Sequence, residues 1–188
     1  MTLPFFIMAG LPGAGKTTLA PILAKKLDYD FFEGATLVSQ EDIAAISRGT
    51  PMTESAHSQW MIDVVNEAYR LEKESAPKGI VGTCTALTRK VRAILRNQVK
   101  KLNEEGSKLK LFIIWCEVSK EESIRRAEMR TGHYYNPAMT DWIYARTHIP
   151  CVEGDEKEEN IYIVDASQNV EDVVADALKF MNEAVQEN

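Results

Sequence analysis

The chain has 188 residues, 45% apolar and 27% charged, which fits one globular domain able to bury roughly 70% of its unfolded surface and excludes a disordered chain. Three widely spaced cysteines exclude a disulfide scaffold, no apolar run approaches the ~18 residues of a membrane span, and Met1-Thr2-Leu3-Pro4-Phe5 lacks the basic start of a signal peptide, so a cytoplasmic location is expected. The 22 basic and 28 acidic side chains leave a net charge of −6 and a pI near 5.2, which argues against a general nucleic-acid or anionic-membrane binder.

Pro4-Phe5-Phe6-Ile7-Met8-Ala9 is a continuous apolar run, as expected of a strand buried on both faces. Glycines and a proline follow from Gly10 to Gly15. A helix is then predicted from about Gly15 to Leu27, with Leu19, Ile22, Leu23 and Leu27 on one face. Pro21 lies inside it and, lacking an amide donor, predicts a local kink. Tyr29 to Phe32 reads as a second strand. Ser39 with Asp42 is a capping signal for a short helix ending at Arg48-Gly49. From Thr53 to about Lys73, the residues Ala56, Trp60, Met61, Val64, Val65, Ala68 and Tyr69 fall on one helical stripe.

Lys78 to Thr83 reads as a third strand, Leu87 to Asn103 as a basic amphipathic helix, and Leu109 to Val118 as a strongly apolar fourth strand. Ser119 and Glu122 cap a helix from Lys120 to about Arg130. The acidic stretch from Glu153 to Glu159 reads as a solvated loop, Ile161 to Val164 as a fifth strand and Val170 to Val185 as a closing helix. Apolar strands alternating with amphipathic helices predict an α/β fold of three layers: a five-stranded parallel sheet with helices on both faces. No linker divides the chain, so residues 1–188 form one domain.

The strongest chemical signal is Gly10-Leu11-Pro12-Gly13-Ala14-Gly15-Lys16-Thr17, which fits G-x-x-x-x-G-K-[ST] between a strand and a helix. Glycines let successive N–H groups turn toward one concavity, and the helix N-terminus favours negative charge. Residues 10–18, Thr18 included, are therefore the expected phosphate cradle for ATP. Lys16 is placed on the β- and γ-phosphates and Thr17 on Mg²⁺.

Further along, Glu33-Gly34, Ser47-Arg48-Gly49-Thr50-Pro51-Met52-Thr53 leading to Trp60, Cys84-Thr85-Ala86-Leu87 with Arg92, and Arg126, Arg130, Gly132, His133, Tyr134 and Pro150 occur in an order that resembles the small P-loop gluconate kinases, relatives of shikimate and adenylate kinases. The resemblance covers nearly the whole chain. It implies a P-loop kinase fold with a lid over about residues 126–140, and phosphorylation of a gluconate-like sugar acid with Mg·ATP. It also implies Arg126 and Arg130 as lid arginines over the nucleotide, and Glu33, His57, Arg92 and His133 facing the acceptor. The chain departs from the family pattern at Ala35 (Asp in the family), Val38 (His), Ala56-His57 (Asp-Arg), Thr88 (Lys) and Ile143 (Gln).

Each assignment has a plainer reading. Glu33 stands at the end of the second strand, where ligands bind in such sheets, as a substitute base or as an exposed loop carboxylate. Arg126 and Arg130, four apart, share a helix face that is a phosphoryl clamp or a solvated surface. Arg92 contacts the acceptor or is one more charge on a basic helix with Arg89, Lys90 and Arg96. The alternative function is a nucleotide-binding protein of the same fold without turnover, or a kinase of another small acceptor. The histidines lack metal-ligand spacing, the cysteines read as reduced and structural, and the basic helix has no interleaved aromatics to suggest RNA. A homodimer is compatible with the sequence.

Overall fold

Residues Phe5 to Ala9 are fully buried because β1 (Leu3–Ala9) is the middle strand of the sheet. The computed structural model describes residues 2–129 and 132–186. Strand β1 leads into α1 (Lys16–Leu27), β2 (Asp30–Phe32), a single-turn helix (Gly34–Leu37), α2 (Gln40–Ser47), α3 (Glu54–Glu74) and β3 (Ile80–Thr83). Next come α4 (Arg89–Glu104), β4 (Leu109–Glu117), α5 (Lys120–Met129), a short turn of helix (Pro137–Met139), α6 (Thr140–Tyr144), β5 (Ile161–Asp165) and α7 (Val170–Gln186).

The strand order is β2-β3-β1-β4-β5, with every neighbouring pair parallel. Ile7 stands between Gly82 and Ile113, and Met8 between Thr83 and Ile114. Because all strands run one way, the loops after β1, β2, β3 and β5 open on a single edge. The chain turns from one side of β1 to the other between β3 and β4, and ligands of such sheets bind at that reversal. Helices α1 and α7 pack together, as do α3 and α4, covering the two faces.

Helices α2, α3 and α4 start where a side chain accepts from their first turn: Ser39 from Asp42 N–H, Thr53 from Ala56 N–H and Thr88 from Val91 N–H. Helix α1 runs without a break through Pro21, so the expected kink does not interrupt it; one missing donor near the start of a packed helix is tolerated. The buried stripe of α4 is Val91, Arg92, Leu95, Val99 and Leu102, and its second member is an arginine.

That arginine corrects two expectations. Arg92 is 0% exposed and does not face the acceptor. Its Nε and Nη2 hold the Glu158 carboxylate at 3.0 and 2.6 Å, its Nη1 donates to the carbonyls of Ala86 and His148, and its guanidinium lies over the Trp115 ring. Glu158, expected in a solvated loop, is buried with it, and Arg96 adds a contact at 3.1 Å. An arginine on the buried stripe of a helix needs a buried anion, and the acidic segment folds back to supply one.

Candidate active site

The loop after β1 is held open by packing from below. Ser123 of α5, fully buried, donates its hydroxyl to the Pro12 carbonyl at 2.7 Å, and Ala14 N–H closes a turn onto Leu11. Gly13 has φ 80°, and a Cβ there would stand 2.6 Å from the Ser123 carbonyl oxygen, so only glycine fits. Helix α1 begins after Gly15 with no side chain capping its first turn, so its N-terminal amides and partial positive charge face the loop.

The Lys16 ammonium curls over the loop and donates to the carbonyls of Gly10 (2.9 Å) and Leu11 (2.8 Å). Residues Pro12 to Thr18 line a cleft of about 660 Å³. Gly10 and Leu11 stand behind it and act through those carbonyls. An uncapped helix start, a glycine-built concavity and a lysine over it fit a nucleotide's phosphates. Thr17 and Thr18 of the first helical turn line the same space.

Across the cleft, Glu33 follows the end of β2. Its Oε1 accepts the Thr83 hydroxyl from the end of β3, while Oε2 is buried without a hydrogen-bond partner. The geometry is fixed by close backbone contact. Gly34 N–H donates to Thr83 Oγ1 at 3.0 Å, and a Cβ on Gly34 would fall 1.9 Å from the Thr83 carbonyl oxygen. Trp60 of α3 donates its indole N–H to the Gly34 carbonyl at 2.8 Å. One carboxylate oxygen is thus anchored and the other is left for something in the cleft, since a buried acceptor without a partner is costly.

His57 also lines the cleft, its ring 5.7 Å from that of Trp60, and burial pushes its pKa down. His133 stacks on Tyr134 at 4.7 Å, and its Nδ1 accepts from Tyr135 N–H at 3.0 Å. Arg126 lines the cleft while its Nη1 donates to the Ala166 carbonyl at 2.8 Å and its Nε to Glu122. Arg125 and Arg126 together hold the Glu122 carboxyl down at about 2, so Glu122 stays charged at any working pH. Arg130 lies outside the described residues.

Several contributors were not singled out from the sequence: Thr83 beside Glu33, and Ile46 and Met139 along the wall, where Ala35, Val38 and Ile143, noted as departures from the family pattern, also stand. Their signal was positional, since each sits just past a strand end or on a short helix facing that edge. Cys84 lines the cleft too, but burial raises its thiol to about 12, so it stays protonated there.

The sequence profile of the AAA domain family matches residues 5–142. The chain belongs to that family. A probable gluconokinase of Schizosaccharomyces pombe is 29% identical over 184 residues, covering 97% of this chain and 90% of the relative. A gluconokinase of Gluconobacter oxydans is also 29% identical, over 146 residues, or 78% and 76% of the two chains. Among solved structures, a gluconokinase from Sinorhizobium meliloti 1021 superposes with a TM-score of 0.76 at 22% identity, over 98% of this chain and 94% of that one. A sugar kinase from Janibacter sp. HTCC2649 also gives 0.76, at 25% identity over 97% and 95%. The resemblance read from the sequence and the three-layer P-loop kinase fold are both borne out. No described helix is long and apolar enough to cross a membrane.

Proposed function

We propose that this chain transfers the γ-phosphoryl group of ATP to a hydroxyl of a small polyhydroxylated metabolite, with a sugar acid of the gluconate type as the first acceptor to test. The observation that carries this reading is Glu33: a carboxylate with one anchored and one buried, unpartnered oxygen, in the same cleft as an intact phosphate loop. The names of the relatives point the same way.

Phosphoryl transfer depends mainly on positioning and charge stabilisation. In this reading Lys16 exchanges the carbonyls of Gly10 and Leu11 for phosphate oxygens. The Thr17 hydroxyl would be among the groups that hold Mg²⁺, and the ion would supply charge that neutralises the transferring group. Among the described residues no cluster of His, Cys, Asp or Glu would hold a metal alone, which agrees with an ion arriving on the phosphates. Glu33 Oε2 accepts the acceptor hydroxyl's proton as that oxygen bonds to phosphorus, and ADP leaves with the bridging oxygen. Arg126 and Arg130 close over the phosphates with the segment that follows them, and Tyr134 and Tyr135 exclude water. A nucleotide-binding protein without turnover is not favoured, because an acidic group is retained at the acceptor end.

The test is ADP release, coupled to a reporter reaction, over sugar acids, sugars and polyols with Mg·ATP. Acceptor-dependent release is expected; none with any compound overturns the reading.

A further inference from the structure

Of the cleft-lining residues from Ala35 to Trp60, His57 is the one with a titratable side chain; Val38, Ile46, Met52 and Trp60 make that stretch largely apolar. The ring has a fixed place. His57 lies near the start of α3, where its amide donates to the Thr53 carbonyl at 2.9 Å. Its imidazole leans on the Trp60 ring, centroids 5.7 Å apart, and the Trp60 indole is itself held by the Gly34 carbonyl at 2.8 Å. Next to Gly34 is Glu33, whose Oε2 is the buried oxygen assigned above to the acceptor hydroxyl. The His57 ring nitrogens make no hydrogen bond to any described residue, and the packing does not enclose them.

Other charged or titratable groups line the same cleft. Lys16 of α1 curls over the phosphate loop, and Arg125 and Arg126 of α5 share Glu122. Glu33 and Cys84 follow β2 and β3, and His133, Tyr134 and Tyr135 precede α6. On α3 itself, Glu54 is paired with Lys90 of α4. The state of the empty ring is set by burial, which disfavours the imidazolium.

An ionised sugar acid reverses that balance. A buried carboxylate needs an opposite charge, and an anion beside an imidazole favours the ring's charged form. Near neutral pH, histidine is the side chain that gains a proton most readily. The carbon chain of such an acceptor would lie against Trp60, with its far hydroxyl at Glu33. We infer that His57 receives the carboxylate of the acceptor and takes up a proton from solvent as the sugar acid binds, so that affinity for the acid falls as pH rises. The proton returns to solvent when the acid leaves. This assignment rests on the kinase reading above and names the group that recognises the acid end of its acceptor.

The test is calorimetric titration of gluconate into the protein with Mg²⁺ and a non-hydrolysable ATP analogue, near neutral pH, in buffers of low and high ionisation heat. The dependence of observed heat on buffer heat counts the protons taken up. About half a proton or more is expected. Between about pH 6.5 and about pH 8.5, gluconate affinity should fall by up to roughly tenfold per unit. His57→Gln should remove both the uptake and the slope and weaken gluconate about tenfold or more, as for a lost charged hydrogen bond. His57→Arg carries a permanent cation, so it should bind gluconate more tightly than His57→Gln, with no uptake and no slope. Wild-type binding without proton uptake overturns the inference, as do failure of gluconate to bind, uptake that persists in a folded His57→Gln protein, and a folded His57→Arg protein that binds gluconate no better than His57→Gln. ADP release is followed separately. Proton-linked gluconate binding with no ADP release from any compound leaves this inference standing and overturns the kinase reading; ADP release from uncharged polyols but from no sugar acid does the reverse.

Discussion

Arg92 and Glu158, 66 residues apart in sequence, form a two-hydrogen-bond ion pair at 2.6 and 3.0 Å with both side chains almost wholly buried. The pair joins three segments that border the cleft. Through Nη1 it holds the carbonyl of Ala86, beside the cleft residues Cys84, Thr85 and Leu87, and that of His148, just past α6. Glu158 leads into β5, whose following loop supplies Ala166 and Gln168 to the cleft. Arg92 is thus a positioning residue that ties the loop after β3 to the segment after α6.

Breaking such a pair from one side strands the other charge, at about 3–5 kcal/mol. Arg92→Met leaves Glu158 with Arg96 alone, so the lower figure applies, and a loss of about 3 kcal/mol lowers the melting temperature of a chain this size by roughly 6–12 °C. Thermal unfolding followed by circular dichroism checks it; a shift within a degree or two would show that the pair holds nothing.

The same pair predicts a pH dependence. Burial alone raises the Glu158 pKa, but the hydrogen bonds and charges of Arg92 and Arg96 outweigh it and hold the carboxyl below its usual 4.5. A carboxyl depressed in the folded state contributes its stability fully above the unfolded value and loses it as pH falls through the folded one. The melting-temperature gap between wild type and Glu158→Gln should therefore be full at neutral pH and shrink below about pH 4.5. A gap that widened on acidification would contradict the assignment.

The sheet, its strand boundaries and the long helices were legible in the sequence because each is carried by local periodicity and caps. Phe5 to Ala9 and Leu111 to Cys116 could hardly be anything but central strands, and Ser39 and Ser119 mark helix starts by their own side chains. The turns at Gly34–Leu37 and Pro137–Met139 and the five residues of α6 were not legible, since pieces so short are stabilised by tertiary contact rather than propensity. In the cleft, the phosphate loop was read outright. Arg92 was misread because its partner lies far away in sequence; its place on the α4 stripe with Leu95 and Val99 was the available clue. Glu33 was placed by its strand end, but its one paired and one unpaired oxygen depend on Thr83, fifty positions on.

Lys16→Met should weaken nucleotide binding without harming the fold. The ammonium donates to the loop carbonyls of Gly10 and Leu11, while a charged hydrogen bond to phosphate is worth about 1.5–3 kcal/mol. The affinity for a non-hydrolysable ATP analogue, measured by calorimetry, should fall roughly 10- to 150-fold. Unaltered affinity would remove Lys16 from the phosphate site.

Glu33→Gln separates the two jobs of the carboxylate. The amide keeps the size of the side chain and an oxygen able to accept from Thr83, so the strand end should hold its shape. It cannot take a proton at the position of Oε2, and loss of a general base costs typically about 10²- to 10⁴-fold in rate. The expected result is a fall in kcat within that range, with KM for ATP within about twofold of wild type because uniform nucleotide binding is untouched. Gly34→Ala tests the same corner from the backbone. A Cβ 1.9 Å from the Thr83 carbonyl oxygen forces β2 and β3 apart at their ends, so both stability and acceptor turnover should fall. A kcat for Glu33→Gln equal to wild type would mean that the acceptor hydroxyl gives its proton to some other group, and that the buried oxygen serves binding alone.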